Sequence, residues 1–275
     1  MRKSFLITGS SRGLGRALAE AALAAGHRVA AAARNPDAVR DLEDSYPGAA
    51  MAVALDVTDP VAAQAAVDAV AERFGRLDVL VNNAGYSGIA SIEDTGLADF
   101  RAQVETNLWG AVHTAKAALP VMREQRAGHI VQVSSVSGRI APAPGLGAYV
   151  TAKFALEGFS EALAAEAAPF GIRVTIAEPG TMATTLAASM TISEPSPAYA
   201  GLLAPMLARY GDPRTSYGVS PRRAAEALLA VTSLPEPPLW FPLGGDAVDY
   251  IRKGEERKLA ELVRWEGLSR SADGA

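Results

Sequence analysis

The 275-residue sequence contains no cysteine and only three histidines. Without cysteine there can be no disulfide framework, no thiolate zinc site and no thiol nucleophile, and the chain is compatible with a reducing compartment. We expect His27, His113 and His129 to be surface or helix residues rather than catalysts or metal ligands. The sequence therefore predicts no metal site.

A strong charge of one sign is also lacking. Charged residues make up 20% of the chain and its formal net charge is −4, so a broad basic surface for nucleic acid or an anionic membrane is not expected. The apolar run Phe5–Ile7 is too short for a signal peptide, and the alanine-rich stretch 17–33 is interrupted by charged residues and a glycine. We therefore expect a soluble cytoplasmic protein with no membrane partner.

Hydrophobic residues are abundant, at 49% of the chain, and they follow a regular alternation. Short runs rich in Val, Ile and Leu alternate with longer alanine-rich amphipathic stretches, which is typical of βαβ units. The fold class predicted is α/β, a doubly wound parallel sheet in a three-layer α/β/α arrangement. The predicted strands are Ser4–Thr8, Arg28–Ala33, Ala50–Leu55, Val79–Val81, His129–Val133, Arg173–Ala177 and Leu239–Phe241. The predicted helices lie near 13–25, 36–44, 60–73, 97–124 (as a broken helix), 148–169 and 221–232.

No shift in composition divides the chain, so we predict a single domain over residues 1–275. Residues 181–220 interrupt the alternation and carry several Met, Leu and Tyr side chains. A segment this long between sheet elements is typical of a substrate lid, although it could simply pack over the core.

The end of the chain is predicted to form one more helix, over residues 246–268. Asp246 could cap its first turn, and Ile251, Leu259 and Leu262 are expected to face inward. Residues 269–275 are predicted to form a frayed tail.

The segment Thr8–Gly15 follows the first strand directly and opens the first helix. Its glycines at positions 9, 13 and 15 permit a tight turn, and the N-terminus of the helix presents unpaired N–H groups to a phosphate. Three glycines alone could be only a tight turn. The strand before them and the helix after them favour a Rossmann-like dinucleotide site.

The residue after the second strand favours one dinucleotide over another. Sites that select NAD(H) place an acidic residue there, which binds the ribose hydroxyls. This chain has Arg34 instead, and Arg34 and Arg12 could hold a 2′-phosphate. The sequence therefore predicts NADP(H) rather than NAD(H), unless both arginines are ordinary solvated side chains.

Tyr149 and Lys153 are four residues apart in a predicted helix, so both lie on one face about one turn apart. A neighbouring ammonium group stabilises a phenolate and lowers the pKa of the phenol. Tyr149 is thus a candidate general acid/base, and Ser135 lies fourteen residues upstream.

Together these motifs resemble the short-chain dehydrogenase/reductase family in its single-domain form, from Lys3 to about Phe241. The resemblance implies an oxidoreductase that transfers a hydride between NADP(H) and a carbonyl or secondary alcohol substrate. It also implies a homodimer or homotetramer that packs through the helices near 105–124 and 148–169.

The family's site residues carry over by motif. In this family a serine binds the substrate oxygen, a tyrosine is the acid/base, a lysine supports it and binds the nicotinamide ribose, and an asparagine positions a water. The catalytic residues implied are Asn107, Ser135, Tyr149 and Lys153. The cofactor-binding residues implied are Gly9, Ser11, Arg12, Gly13, Leu14, Gly15, Arg34, Asp56, Val57, Asn83, Ala84, Gly85, Lys153, Pro179, Gly180 and Thr184.

Two features depart from the family pattern. Gln132 stands where the family often has Asn, and Ser134 and Ser137 compete with Ser135 for the serine role. Ser135 is chosen because it is the second of the paired serines, and Ser134 should point to the opposite side of the strand. Further residues predict a mostly uncharged substrate pocket. These are Tyr86, Ser137, Leu146 and Met182.

Two other functions remain open. Gly9–Gly13 also satisfies G-x-S-x-G, so an α/β serine hydrolase using Ser11 is one alternative, although such a fold needs a histidine late in the chain. The second alternative is a non-catalytic dinucleotide-binding sensor, which would not need an acid/base at the Tyr149–Lys153 spacing.

Overall fold

A seven-stranded sheet forms the centre of the protein in a computed structural model that describes residues 2–182, 190–210 and 218–273. Its strands are rich in Val, Ile, Leu and Ala and are mostly buried, as expected where helices cover both faces of a sheet. The strands of this sheet are β1 (Ser4–Thr8), β2 (Arg28–Ala33), β3 (Ala50–Ala54), β4 (Val79–Asn82), β6 (Gly128–Val133), β7 (Ile172–Pro179) and β9 (Trp240–Leu243). A separate pair is formed by β5 (Gly88–Ile89) and β8 (Thr191–Ile192).

The strand order in the large sheet is β3-β2-β1-β4-β6-β7-β9, and every neighbouring pair is parallel. The chain builds outward from β1 to β3, then returns and continues from β4 on the other side of β1. The strand order therefore reverses between β1 and β4. In open sheets of this kind, ligands bind outside the carboxyl ends of the strands at this reversal.

Helices cover both faces of the sheet, so the predicted three-layer fold is confirmed. One apolar core lies between the sheet and α1 and α8, and a second lies under α3, α5 and α6. The helices are α1 (Gly13–Ala24), α2 (Arg40–Ser45), α3 (Pro60–Phe74), α4 (Leu97–Val104), α5 (Gly110–Gln125), α6 (Gly147–Ala167), α7 (Ala200–Tyr210), α8 (Pro221–Ser233) and α9 (Gly245–Arg270). None of the helices within the described residues is long and apolar enough to cross a membrane.

The predicted break between residues 97 and 124 is a widened turn rather than an interruption. A π-helical segment, Glu105–Trp109, joins α4 to α5, so the chain stays helical from Leu97 to Gln125. Such π segments occur often at functional sites because they redirect side chains and backbone carbonyls. Asn107 lies in this segment.

The segment 181–220 contains secondary structure that the sequence did not predict. Its described part holds β8, which pairs with β5, and helix α7. Leu203 of α7 is fully buried and approaches Gly145, so α7 packs onto the loop that precedes α6.

The prediction for the end of the chain is wrong in two respects. Ile251 is buried as expected, but Leu259 and Leu262 are 60% and 62% exposed. The cause is that α9 contacts the body of the protein only through its first part and then projects outward. Residues 269 and 270 continue α9 and 271–273 form a 3-10 turn, so the predicted frayed tail is helical up to residue 273.

Candidate active site

The glycine-rich turn lies at the carboxyl end of β1, beside the reversal of strand order. Gly9 has φ +68°, and a Cβ there would lie 2.9 Å from the Cα of Ala84, so this position favours glycine on two grounds. The Asn83 side chain donates hydrogen bonds to the carbonyl oxygens of Thr8 (2.9 Å) and Gly9 (3.2 Å). The turn is therefore fixed to the loop after β4.

Helix α1 begins directly after this turn, and Arg12 at its N-cap makes no side-chain capping bond. The first N–H groups of α1 thus face the cleft with the positive end of the helix dipole. Gly15 differs from the other predicted turn residues because it packs beneath the turn, where a Cβ would overlap the Gly9 carbonyl oxygen and the Asn83 amide. Its close packing therefore fixes the shape of the turn.

Arg34 and Asp56 follow β2 and β3 at the same edge of the sheet. Asp56 accepts hydrogen bonds from the N–H and the hydroxyl of Thr58 at 3.0 and 2.8 Å. These bonds, with a smaller contribution from Arg34, lower the pKa of Asp56. Arg34 is exposed, and neither Arg34 nor Arg12 forms an ion pair with any described residue.

Ser135 and Ser134 follow β6 and point in different directions, as expected. The Ser134 hydroxyl donates to Oε1 of Glu157 at 2.7 Å in the interior. The Ser135 hydroxyl accepts a hydrogen bond from the Ser137 N–H at 3.1 Å and also interacts with the phenol of Tyr149. Ser135 is therefore the serine that meets Tyr149.

Tyr149 and Lys153 share one face of α6, and the Lys153 Nζ lies 5.7 Å from the centroid of the Tyr149 ring. Lys153 is only 4% exposed, and its amine donates a hydrogen bond to the Val133 carbonyl oxygen at 2.8 Å. Burial lowers the pKa of Lys153 to about 8, while the charge of Glu157 opposes this change.

The pKa of Tyr149 differs from the sequence prediction. Burial raises it above its usual value, and the hydrogen bond with Ser135 opposes that rise without reversing it. Desolvation of the phenolate thus outweighs this hydrogen bond, and the pKa is not lowered as the tyrosine–lysine spacing predicted. Tyr149 is a neutral phenol at neutral pH, which is the form that donates a proton.

Asn107 lies beside Lys153, and its side chain is fully buried. Its Nδ2 donates to the carbonyl oxygens of Tyr86 and Gln103, each at 2.8 Å, and its Oδ1 accepts from the Tyr86 N–H at 3.2 Å. A Cβ on Gly85 would lie 2.5 Å from the Asn107 Oδ1, so the two segments are closely packed. The asparagine side chain mainly holds the loop after β4.

A single cavity of about 660 Å³ joins these groups. It extends from the glycine turn, past Arg34 and Asp56, to Asn107, Ser135, Tyr149 and Lys153. Among the predicted site residues that the structure describes, Gly15 does not line the cavity. Thr184 lies outside the described residues. The other predicted cofactor residues that line the cavity are Gly9, Ser11, Arg12, Gly13, Leu14, Val57, Asn83, Ala84, Gly85, Pro179 and Gly180.

The far end of the cavity is formed by more elements than the sequence indicated. Tyr86, Ser137, Leu146 and Met182 line it as expected. Residues not predicted there include Arg209 and Tyr250, from α7 and α9. No local pattern could have identified them, because only the packing of two distant helices brings them to the mouth. Arg209 donates a hydrogen bond to Thr181 Oγ1 at 3.0 Å. Because its guanidinium group is charged, the pocket that the sequence predicted to be mostly uncharged carries a positive charge at its mouth.

The geometry excludes the hydrolase alternative. Ser11 lines the cavity, but none of the three histidines does. His27 accepts a hydrogen bond from the Lys3 N–H, His113 contacts the Val57 carbonyl, and His129 bonds Thr175 in the interior. Ser11 has no imidazole partner to act as its base.

Comparisons with known proteins agree with this arrangement. Residues 3–195 match the family described as short chain dehydrogenase. The chain belongs to the short-chain dehydrogenase family. This short-chain dehydrogenase is 46% identical over 274 residues to oxidoreductase BOA17 of Botryotinia fuckeliana, with 98% of each chain covered. The family resemblance inferred from the motifs is thus confirmed, and the chain is an oxidoreductase of this family.

Solved structures similar to this short-chain dehydrogenase confirm the predicted fold. A short-chain dehydrogenase from Streptomyces avermitilis has a TM-score of 0.91 and 41% identity, with 98% of both chains covered. An alcohol dehydrogenase from the archaeon Thermococcus sibiricus, in complex with 5-hydroxy-NADP, has a TM-score of 0.71 and 27% identity, covering 88% of this chain and 95% of that one.

The structure explains one departure from the family pattern, the Gln132 that stands where the family often has Asn. Its Oε1 accepts a hydrogen bond from the Asn82 Nδ2 at 3.0 Å, and Asn82 in turn accepts from Thr114 at 2.6 Å. Gln132 therefore joins β6 to β4 and α5 inside this short-chain dehydrogenase. It does not line the cavity.

Proposed function

We propose that the protein transfers a hydride between NADP(H) and a carbonyl or secondary alcohol substrate, with Tyr149 as the general acid/base. The observation that carries the proposal is that Ser135, Tyr149 and Lys153 line the same cavity as the glycine turn at the N-terminus of α1. A dinucleotide fits this cavity because the turn leaves room for close backbone approach and the N–H groups of α1 suit a pyrophosphate.

In the reductive direction, Tyr149 donates its proton to the substrate oxygen. Ser135 holds that oxygen as negative charge develops on it, which stabilises the transition state. Lys153 supports the resulting phenolate electrostatically and helps return a proton from solvent, while Asn107 holds the loop that borders the amine. The nicotinamide cofactor supplies the hydride in this direction.

Arg34 and Arg12 support the choice of NADP(H). Both line the cavity, and Arg34 takes the position after β2 where an acidic residue would select the unphosphorylated cofactor. Two guanidinium groups without ion-pair partners among the described residues suit a 2′-phosphate dianion. The complex of the similar alcohol dehydrogenase with an NADP derivative is in keeping with this choice.

The substrate proposed is a ketone or secondary alcohol of moderate size. Apolar and aromatic side chains dominate the end of the cavity beyond Tyr149, which favours an uncharged body. Arg209 and Tyr250 add polar groups at the mouth that could bind a polar end of the substrate.

A steady-state assay tests this proposal against the non-catalytic sensor. The purified protein is mixed with NADPH or NADH and a panel of ketones, and cofactor oxidation is followed by absorbance. Turnover with NADPH supports the enzyme. Tight NADPH binding without turnover across a broad panel supports the sensor.

We further propose that the protein forms a homodimer or homotetramer through α5 and α6. Exposed aromatic side chains on or next to these helices support this, with Trp109, Phe154 and Phe170 at 47%, 40% and 37% exposed. Sedimentation equilibrium of the wild type and of Phe154→Glu measures the mass. A monomeric wild type would contradict the proposal.

A further inference from the structure

A cluster of buried carboxyl groups lies directly behind Ser135. Glu157 and Glu178 are 4% and 0% exposed, and both are outside the cavity described above. Arg139 Nε lies 3.5 Å from Glu178 Oε1 and 3.5 Å from Glu255 Oε1. Burying carboxyl groups in this way is expensive unless they are paired and hydrogen-bonded. The cluster has a structural cost, which suggests that it serves the site in front of it.

Glu157 joins the two elements that carry the reacting groups. Its Oε1 accepts the 2.7 Å hydrogen bond from Ser134, the neighbour of Ser135 at the end of β6. Lys153, one turn earlier on the same face of α6, donates to the Val133 carbonyl oxygen at 2.8 Å. Two hydrogen bonds therefore fix α6 to Val133 and Ser134, the two residues that precede Ser135.

The space around Glu157 is closed. Gly138, in the turn after Ser135, packs so closely that a Cβ would overlap the Glu157 carboxylate and the Ser134 hydroxyl. Only glycine therefore fits at position 138 beside the Ser134–Glu157 pair. The Ser134–Glu157 contact thus lies directly against the turn that follows Ser135.

The charges that face Glu157 come from several elements. Lys153 and Glu161 lie on α6, and Arg139 follows the turn after Ser135. Glu178 at the end of β7 and Glu255 on α9 complete the group through Arg139. Burial raises the pKa of Glu157 to about 7, and the serine, Arg139 and Lys153 oppose this rise. Glu157 is the charged group that opposes the loss of the Lys153 proton on burial.

We propose that Glu157 is a positioning residue for the reaction proposed above, which tethers Ser135 opposite Tyr149 through Ser134 and keeps Lys153 protonated. The inference rests on the proposed function for its consequence in turnover. The contacts and charges involved lie within the chain itself, so they can be measured in the protein without cofactor or substrate.

The first test reads the protonation of Lys153 without cofactor or substrate. NMR of protein labelled with ¹³C at lysine Cε follows each lysine with pH, and Lys153→Arg assigns the resonance. We expect Glu157→Gln to lower the titration midpoint of Lys153 by about one pH unit, because it removes an opposite charge one helical turn away on the same face of α6. Glu161→Gln, the same change at an exposed position one turn on, should leave the midpoint in place. An unchanged midpoint in Glu157→Gln overturns the proposal.

The second test separates the tether from the charge. Ser134→Ala removes the hydrogen bond but not the Glu157 carboxyl group, so we expect kcat to fall about tenfold or more while the titration midpoint of Lys153 shifts less than in Glu157→Gln. Glu157→Gln keeps an oxygen that can accept from Ser134, and it should shift the high-pH limb of the kcat/KM profile to lower pH. A Ser134→Ala variant with wild-type kcat, or a pH-independent loss in Glu157→Gln, contradicts the inference. If the wild type reduces no carbonyl, the proposed function fails and the NMR comparison alone decides.

Discussion

The side chain of Asn107 forms two hydrogen bonds with the backbone of one residue, Tyr86. Its Oδ1 accepts from the Tyr86 N–H at 3.2 Å and its Nδ2 donates to the Tyr86 carbonyl oxygen at 2.8 Å. The pair joins the π-helical segment to the loop after β4, next to Lys153. These hydrogen bonds therefore fix the loop that carries Asn83, Ala84 and Gly85 along the cavity.

Asn107→Ala is expected to reduce both stability and turnover. The substitution leaves the Tyr86 N–H and carbonyl without their partner, which costs about 2 kcal/mol in the free energy of unfolding. Urea denaturation measures this cost, and Gln64→Ala, at an exposed position on α3, is the control. Equal unfolding free energies in Asn107→Ala and the wild type would contradict the role assigned to the pair.

Tyr149→Phe is expected to retain the fold and cofactor binding but to lose turnover by at least ~10², the low end of a general acid/base contribution. The phenol is the proton donor in the proposed reaction, and the ring alone cannot replace it. Steady-state kinetics and fluorescence titration with NADPH give the two readouts. Tyr46→Phe, a tyrosine that does not line the cavity, is the matched control. Unchanged kcat in Tyr149→Phe would remove this mechanism.

Arg34→Ala is expected to weaken NADPH binding at least about tenfold and NADH binding much less, because one charge-assisted hydrogen bond contributes ~1.5–3 kcal/mol. Isothermal titration calorimetry with both cofactors measures the difference. Arg40→Ala, an exposed arginine that pairs with Asp37, should affect neither. Equal weakening of both cofactors would mean that Arg34 reads no 2′-phosphate.

Gly15→Ala is expected to destabilise the protein by about 1–3 kcal/mol, the usual cost of overpacking. A methyl group there would overlap the Gly9 carbonyl oxygen and the Asn83 amide. Gly267→Ala is the matched control, since nothing lies within 4 Å of its Cβ position on the exposed part of α9, and it should stabilise the helix by ~0.5–1 kcal/mol. Thermal denaturation of both variants checks the prediction, and a fully stable Gly15→Ala protein would refute it.

Glu178→Gln is expected to stabilise the protein at pH 8 but not at pH 4.5. Burial raises the pKa of Glu178 from 4.5 to about 7, so the folded state binds more protons than the unfolded state between these values. The contribution of Glu178 to the free energy of unfolding of the wild type therefore falls by up to roughly 3 kcal/mol as the pH rises from 4.5 to about 7. Glutamine does not titrate and avoids this loss.

Denaturation midpoints of the wild type and Glu178→Gln across pH 4.5 to 8 measure the difference. Glu236→Gln, at an exposed position, serves as the control. A constant offset between wild type and Glu178→Gln at every pH would show that Glu178 does not titrate in this range.

Much of the site was accessible from sequence because its residues follow strands directly. Parallel strands end at one edge of a sheet, so the glycine turn, Arg34, Asp56 and Ser135 had to meet once the alternation was recognised. Helical periodicity placed Tyr149 and Lys153 on one face. These conclusions needed only local geometry and a sheet of known direction.

Other features were not accessible because they depend on long-range packing. The two-residue strands β5 and β8 are too short for a periodic pattern, and their pairing joins segments about a hundred residues apart. Leu259 and Leu262 have helical spacing typical of a buried face, but α9 projects past the body that would cover them. Amphipathic spacing indicates a helix and does not identify its partner.

The alternation of strands and helices, the position of the glycine turn and the shared helix face of the tyrosine and lysine follow from backbone periodicity, which the amino-acid order carries. The behaviour of those groups depends on the folded protein, in which burial raises the pKa of Tyr149 and lowers that of Lys153, and packing of α6 against β6 places the carboxyl of Glu157 behind the serine. Desolvation depends on every neighbouring atom, and those neighbours come from distant parts of the chain.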